Sequence, residues 1–569
     1  MKLSPKSLLL LVAVVAVFAS CKKSVPKQVK YIPKDATFVL GINTKSLYEK
    51  AGKGNISLDS VFNTFSKEAA DPDVTKMKNA IGDLKDAGLD LSEQIYLFVK
   101  TGGSIMNGKS VSMATIALLK DASKFEAYLK KQKADVSIKK EAKYSYAALG
   151  NDFVAGWSSD VAIISNVSGG RNAPGSYSSG EGTLSQAQLT TLFEQKDDES
   201  AGSISEFRDL VKESADAFFW YNSSSALDQV PMLGMTKISD LFKDAYTAGT
   251  INFEDGKIVA DTKSYSSKAL QDILKKHPSQ DLDLKMVTQY PSSNIDGFVS
   301  FSFNPELLID ILKYSGFDGQ ANQVFGDLGF TATDVAKAFK GDIAAVVSDL
   351  SVITKPNPYY PAVTTKQPEV KFIFNAKVGD KASYEKVMGA LEKKGLISKS
   401  GNEYRITSFN VGVPYSIDDK NILFGLDSAV LQSYKAGNGN ANLPDDIKSK
   451  SSGQAAAVFI DINKILTAIP LDSGAKAEEV ALMDKAKATF KNVSATTGHF
   501  DGKLSKSEIE FKFVDDKKNS LVSLLEFFAA AAKTAKISHN DDSMMTDSTI
   551  APMIDSSANA IPAPPAEQK

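Results

Sequence analysis

Short segments in which apolar residues alternate with polar ones, or run unbroken for a few positions, recur along the chain. Segments of this kind that are rich in β-branched and aromatic residues are Ile95–Val99, Val111–Leu118, Phe153–Val167, Val370–Phe374 and Asn421–Leu426. Such side chains favour the extended backbone, so the pattern predicts strands. Asp255-Gly256 and Asp501-Gly502 stand between similar runs and predict hairpin turns.

Four other stretches have the composition and apolar spacing of helices. They are Ser123–Lys131, Lys268–Lys276, Lys381–Lys393 and Asn519–Lys533. The order of strand, helix, several strands and helix predicts antiparallel sheets with helices packed on one face. We therefore predict an α+β fold.

The chain also repeats itself at an offset of about 260 residues. The segment Tyr31–Asn43 is similar to Tyr290–Asn304, and Asp121–Glu126 is similar to Asp380–Glu385. Further matches keep the same order along the chain. This order predicts two homologous halves, residues 31–276 and 290–533, each with a mainly antiparallel sheet.

A smaller unit recurs four times within these halves. A short apolar strand runs into Asn and then into a helix at Phe38–Leu47, Phe218–Leu227, Phe298–Leu308 and Val458–Leu466. Asn suits the start of a helix because its side-chain oxygen accepts a hydrogen bond from an unpaired backbone N–H. Each unit is therefore predicted to be a strand joined to a helix that Asn caps.

The first twenty residues have the pattern of a secretory signal. Lys2 and Lys6 precede an apolar run, Leu8–Phe18, which would span only about 16 Å as a helix and is too short to cross a bilayer. The residues Phe18-Ala19-Ser20-Cys21 resemble a bacterial lipobox. That resemblance implies cleavage before Cys21 and acylation of Cys21, whereas an ordinary signal peptide with a coincidental cysteine is the alternative.

Residues 1–20 are thus predicted to be a lipoprotein signal, and residues 21–30 a Lys-rich tether. No Asp follows Cys21, and an acidic cluster after it is also missing. The resemblance therefore implies a lipid-anchored protein of the outer membrane that faces the periplasm. Residues 534–569 mix Ser, Asp, Ala and Pro, and this composition predicts a disordered tail.

Composition narrows the possible functions. The 569 residues include three His, one Cys and three Arg, and the formal net charge is −2. So few Arg and so little net charge argue against a nucleic-acid partner. Three scattered His and one Cys offer no ligand set for zinc or copper, and little material for a Ser-His-Asp nucleophile. We expect no cofactor, no metal and no recognisable catalytic residue.

One motif matches a nucleotide-binding pattern by residue type. Gly103–Ser110 satisfies G-x-x-x-x-G-K-[ST], which surrounds phosphate oxygens when a helix follows it. The residues after Ser110 favour a strand instead. The motif therefore predicts a hairpin rather than a nucleotide site.

Aromatic residues provide two further leads. The run Phe218–Tyr221 is predicted to lie on a strand, with alternate rings facing the core and the other side. Tyr359 and Tyr360 lie between prolines in a stiff loop, where paired tyrosines could contact a protein, glycan or lipid partner. A purely structural loop is the alternative.

The lipobox, the opening Tyr31-Ile-Pro-Lys-Asp-Ala-Thr-Phe-Val and the strand–helix units resemble an uncharacterised lipoprotein family. This family of Bacteroidota-type Gram-negative bacteria is known only as a domain of unknown function, and it has no established site residues. The leading hypothesis is a non-enzymatic binding or scaffolding protein held at the membrane by its acyl chains. Two alternatives stay open: an envelope hydrolase using carboxylates or a Ser-Lys pair between the halves, and a glycan- or lipid-binding lipoprotein.

Overall fold

The computed structural model describes residues 24–52, 86–104, 108–150, 152–169, 183–227, 237–356, 364–469, 471 and 474–544. Its strands join in one antiparallel sheet of twenty strands. Cys21, Tyr359 and Tyr360 lie outside the described residues, as do residues 170–182. No helix of the described part has the length and apolar character needed to span a membrane.

The first ten strands form one half of the sheet. They are β1 (Phe38–Ile42), β2 (Ile95–Ser104), β3 (Gly108–Leu118), β4 (Ile138–Lys140), β5 (Ser145–Gly150), β6 (Phe153–Trp157), β7 (Val161–Gly169), β8 (Ala217–Asn222), β9 (Tyr246–Glu254) and β10 (Lys257–Tyr265). Their order across the sheet is β4-β5-β6-β7-β3-β2-β1-β8-β9-β10.

The last ten strands form the other half. They are β11 (Ile295–Ser302), β12 (Phe339–Pro356), β13 (Thr364–Val378), β14 (Ile397–Ser400), β15 (Glu403–Ile406), β16 (Tyr415–Ile417), β17 (Asn421–Gly425), β18 (Ala456–Ile460), β19 (Phe490–Thr497) and β20 (Leu504–Phe513). Their order is β14-β15-β16-β17-β13-β12-β11-β18-β19-β20. Strand n of the first half and strand n + 10 of the second therefore occupy matching places.

The two halves join edge to edge, because β10 pairs antiparallel with β20 from Lys257 opposite Lys512 to Tyr265 opposite Leu504. Each half thereby covers an edge strand that would otherwise expose unpaired backbone groups. The α+β class and the antiparallel sheet are confirmed. The shared strand order supports the proposed homology of the halves, and their common origin and exact limits stay predictions.

Sixteen α-helices lie between or after the strands within the described residues. They are α1 (Thr44–Ala51), α2 (Ala122–Gln132), α3 (Thr183–Glu194), α4 (Ser205–Leu210), α5 (Ser223–Leu227), α6 (Lys268–Leu274), α7 (Lys285–Thr288), α8 (Glu306–Ser315), α9 (Asp318–Leu328), α10 (Ala332–Ala338), α11 (Lys381–Lys393), α12 (Ser428–Lys435), α13 (Asp445–Ser451), α14 (Ile462–Ala468), α15 (Ala477–Thr489) and α16 (Ser520–Met544). The last helix continues past Thr534, where the sequence predicts the tail to begin.

Each half has a main core on the same face of the sheet. In the first half, Val39, Phe98 and Trp220 share this face and pack against α3 and α4. In the second half, Phe298 and Phe459 share it and pack against α7, α12 and α13. We call this the core face and the reverse side the second face.

At the outer ends of the sheet, helices also cover the second face. Phe125 of α2 packs against Trp157 and Ala162. The next residue, Ile163, belongs to the main core, so Ala162 lies on the second face. In the other half, Tyr384 of α11 packs against Tyr404. Helices therefore lie on both faces at the ends, which is more cover than the single face predicted from the sequence.

The strand–helix units form as predicted in three places. The side chains of Asn43, Asn222 and Asn304 accept hydrogen bonds from the backbone N–H groups of Ser46, Ser224 and Glu306, respectively. The predicted cap is wrong in the fourth unit, where Asp461 accepts from Lys464 N. Asn463 lies inside α14 instead, and its amide donates to the carbonyls of Lys487 and Phe490.

Candidate functional site

A polar cleft of about 840 Å³ lies on the core face where β10 pairs with β20. Side chains from both halves line it, among them Glu213, Thr250, Asp261, Lys263, Lys450, His499, Asp501 and Glu508. These residues come from β9, β10, α13, β20 and the connections beside them. The cleft therefore exists only because the two halves join.

A buried glutamate anchors this cleft. Glu510 of β20 has a side chain only 3% exposed, and its Oε1 lies 2.7 Å from both Lys257 Nζ and Lys450 Nζ. Lys512 Nζ lies 3.6 Å from Oε2. Burial by itself raises the pKa of Glu510, but the hydrogen bonds and charges of Lys257 and Lys450 outweigh burial and hold that pKa below its usual value. Glu510 is thus a charged group held by lysines from both halves.

Asp261 has the opposite environment. It lies across from Glu508 in the β10–β20 register, and burial together with the charges of Glu508 and Glu213 raises its pKa. Lys450 binds Glu508 at 2.6 Å, and Lys263 binds Glu213 at 2.6 Å. The cleft therefore contains a carboxyl with a raised pKa beside two glutamates that pair with lysines.

These contacts bear on the hydrolase alternative. The pKa values of Asp261 and Glu510 are shifted, but Glu508 and Glu510 are both held in ion pairs with lysines. A Ser-Lys contact of the described residues, Ser416 Oγ to Lys435 Nζ at 3.0 Å, lies elsewhere. Lys435 there is also held in ion pairs with Glu403 and Asp418.

One cluster at the cleft is not predicted from the sequence. Ser279 Oγ lies 2.7 Å from His499 Nδ1, and Asp281 Oδ1 lies 2.8 Å from His499 Nε2. These are the residue types of a nucleophile, a base and an orienting acid. Asp281 is 71% exposed, whereas the acid of an efficient triad is buried. Sequence spacing could not reveal the cluster because His499 is 220 residues from Ser279.

The second face of the same strands is apolar. Ile509 of β20 lies in one cross-strand row with Ala495, Val458 and Val299. Val299 is 43% exposed, Ile509 39%, Ile460 38% and Phe301 36%. We call Val299, Phe301, Val458, Ile460 and Ile509 the apolar strip. Aliphatic and aromatic side chains exposed side by side on a sheet mark a binding surface more often than a solvated one.

Other predicted residues have definite places. Along β8, Phe218 and Trp220 are buried in the main core, while Phe219 and Tyr221 lie half-buried on the second face, as predicted. The motif Gly103–Ser110 spans the ends of β2 and β3, and the predicted strand after it is confirmed. Within the described residues, no group of three or more His, Cys, Asp or Glu side chains is placed to hold a metal ion.

Comparison with known proteins assigns the chain to a family, and the solved structures that match it are only distantly similar. Two solved chains, from the structures of crystal forms I and IV of TP0453, match with 7% and 8% identity, and each has a TM-score of 0.24. The matches cover 43% and 42% of this chain and 80% and 81% of the solved chains. No curated protein matches. The model of one family matches residues 29–436, and the chain therefore belongs to the family described as Domain of unknown function (DUF4836).

Proposed function

We propose that this chain is a membrane-anchored, non-enzymatic binding protein of the bacterial envelope. The proposed location is the periplasmic face of the outer membrane, and the lipobox-like residues around Cys21 support it. Several acyl chains on Cys21 would hold the chain firmly at the bilayer. A protein fixed in this way can offer a binding surface near the membrane without any catalytic machinery.

The observation that carries this proposal is the contrast between the two faces where the halves meet. In the polar cleft, most charged groups neutralise one another, so little is left over for acid–base chemistry. On the second face, the apolar strip stays exposed although burying it would be favourable. A surface that gains free energy when it is covered, beside a cleft whose charged groups mostly pair with one another, favours binding over catalysis.

Localisation and partner capture in cells test this function. The unchanged chain and a Cys21→Ala variant are cross-linked in cells, recovered by affinity and compared by mass spectrometry. We expect the unchanged chain in the outer-membrane fraction, cross-linked to a protein partner that the variant does not recover. Equal recovery of the same protein partner by both would contradict a function that depends on the anchor.

The proline-stiffened loop is tested in the same experiment. Replacing Tyr359 and Tyr360 together by Ala is expected to reduce partner recovery at an unchanged melting temperature if the loop forms the contact. Unchanged recovery would remove this loop from the proposed binding surface.

A second candidate function, an envelope hydrolase, is favoured by the contact of Ser279 with His499. It predicts that purified chain cleaves activated acyl esters and that Ser279→Ala abolishes this cleavage. If the cluster only ties the connection between the halves to the β19–β20 turn, Ser279→Ala changes stability and leaves any background cleavage as it was. Asp281→Asn, at the exposed end of the cluster, should lower the rate of ester cleavage if the cluster is catalytic and leave that rate unchanged if the cluster is structural.

A further inference from the structure

The apolar strip belongs to a larger surface that is free of charge. One row of paired residues crosses six adjacent strands and consists of Ala260, Ile509, Ala495, Val458, Val299 and Ala345. The row on one side contains Ile258, Phe511, Val493, Ile460, Gly297 and Val347. The row on the other side contains Thr262, Ser507, Thr497, Ala456, Phe301 and Ile343. No Asp, Glu, Lys or Arg occupies any of these described positions.

This absence of charge is a property of one face only. On the core face of the same strands, Lys257, Asp261, Glu508 and Glu510 line or border the cleft. A sheet with one face in water normally places polar residues on that face. The second face does not, although its four most accessible strip residues remain more than a third exposed.

The chemistry of the strip limits what can occupy it. The backbone N–H and C=O groups of β11, β18 and β19 are paired with strands on both sides. A ligand on the second face therefore meets side chains alone, and the central row offers it no hydrogen-bond donor or acceptor. A peptide that crossed these strands would leave its own polar backbone unpaired, which costs free energy. A hydrocarbon chain has no such groups.

The dimensions also fit a hydrocarbon chain. Neighbouring strands lie about 4.8 Å apart, so the row from Ile509 to Val299 is about 14 Å long. One leaflet of a bilayer core is about 15 Å thick, which is the length of one acyl chain. Helices that follow or precede these strands in the chain expose further apolar groups: Leu308 of α8 after β11, Val480 of α15 before β19 and Phe528 of α16 after β20.

We propose that the apolar strip binds an acyl chain of a membrane phospholipid. The acyl chain lies across β20, β19, β18 and β11, against Ile509, Val458 and Val299. The predicted anchor at Cys21 would hold this surface beside the bilayer that supplies such lipids. The proposal deepens the proposed function by naming its ligand, and it does not require the cleft to do chemistry.

The test uses the full chain carrying Cys21→Ser, so that its own acyl chains cannot fill the site. A fluorescent phospholipid with one labelled acyl chain is titrated into the protein without detergent, and solvent extracts of the purified protein are analysed by mass spectrometry. We expect saturable binding of the probe and a co-purified phospholipid. Val299→Glu should weaken binding of the probe at least tenfold, and the milder Val299→Ser should weaken it less.

The matched control is Phe409→Glu, which places the same charge on a side chain that is 65% exposed in the connection between β15 and β16. It should bind the probe as the unchanged chain does, with the same melting temperature. Equal affinity of the Val299 variants and the control would overturn the proposal. So would a dimer that Val299→Glu disperses, since the strip would then belong to a second copy, or binding of free fatty acid without phospholipid.

These outcomes are independent of the envelope function. If Cys21→Ala leaves the location of the chain unchanged but the probe still binds, the proposed location is wrong and the lipid site is supported. If Cys21→Ala changes the location but the probe does not bind, the location is supported and the lipid site is wrong.

Discussion

The buried carboxylate of Glu510 provides the sharpest test of how the two halves are held together. Glu510→Gln keeps the volume of the side chain and removes its charge. Lys257 Nζ and Lys450 Nζ, each 2.7 Å from Oε1, would then face a neutral amide in a site where the glutamate side chain is only 3% exposed. Because Lys257 belongs to the first half and Lys450 to the second, the change acts on the junction itself.

The expected loss follows from what each lysine can do afterwards. Breaking a buried ion pair costs about 3–5 kcal/mol when the remaining charge stays buried. Here both lysine side chains are about a third exposed, and Lys450 keeps Glu508 as a partner, so both charges regain part of their solvation. We therefore expect Glu510→Gln to lower the free energy of unfolding by about 2 kcal/mol.

Urea unfolding at neutral and acidic pH measures this loss. The folded-state pKa of Glu510 is lowered, so its contribution to stability is present above the unfolded-state pKa of about 4.3 and is lost as the pH falls through the folded value. The gap between variant and unchanged chain should therefore narrow below about pH 4. Glu141→Gln, an exposed control, should show no gap at either pH. A Glu510→Gln variant as stable as the unchanged chain at pH 7 would refute the reasoning.

Three further changes probe the framework, each measured by urea or thermal unfolding. Asp216→Ala removes an acceptor, 3% exposed, that Ser46, Lys50 and the backbone N–H of Phe253 share, and should cost about 3 kcal/mol; an unchanged midpoint would contradict this. Gly341→Ala places a Cβ 1.8 Å from the Phe303 carbonyl oxygen at a φ of 91° and should prevent folding, whereas Gly326→Ala in open space should be tolerated. Asn304→Ala should cost about 1 kcal/mol by removing the cap of α8, and Asn304→Asp should restore most of it.

Much of the local structure could be predicted from the sequence because its causes are local. The strand after Ser110, the turns at Gly256 and Gly502, and helix α11 depend on side chains within a few residues of one another. Even there, one cap was misassigned. Asp461 and Asn463 are both good capping residues two positions apart, and the choice between them is made by the distant carbonyls of Lys487 and Phe490, which bind the Asn463 amide.

The candidate site could not be predicted in the same way, because its parts are far apart in the chain. Lys257 is 253 residues from Glu510, and Ser279 is 220 residues from His499. Both contacts depend on β10 pairing with β20, which the repeated sequence motifs do not specify. The apolar strip cannot be predicted for another reason. The sequence predicts its strands, but which face of a strand is covered by a helix depends on how the halves are assembled.

On the two strands at the junction, β10 and β20, the residues that join the halves lie on one face and the residues of the apolar surface lie on the other. In β10, Lys257 and Asp261 lie on the core face while Ile258 and Ala260 lie on the second face, and β20 alternates in register with them. Charges on one side can join the halves while the other side stays free of charge. The two kinds of variant should therefore act separately: Glu510→Gln should lower stability and keep phospholipid affinity, and Val299→Glu should lower affinity and keep stability. If each variant lost both properties, cleft and strip would be one coupled structure, and the separation argued from the alternation would be wrong.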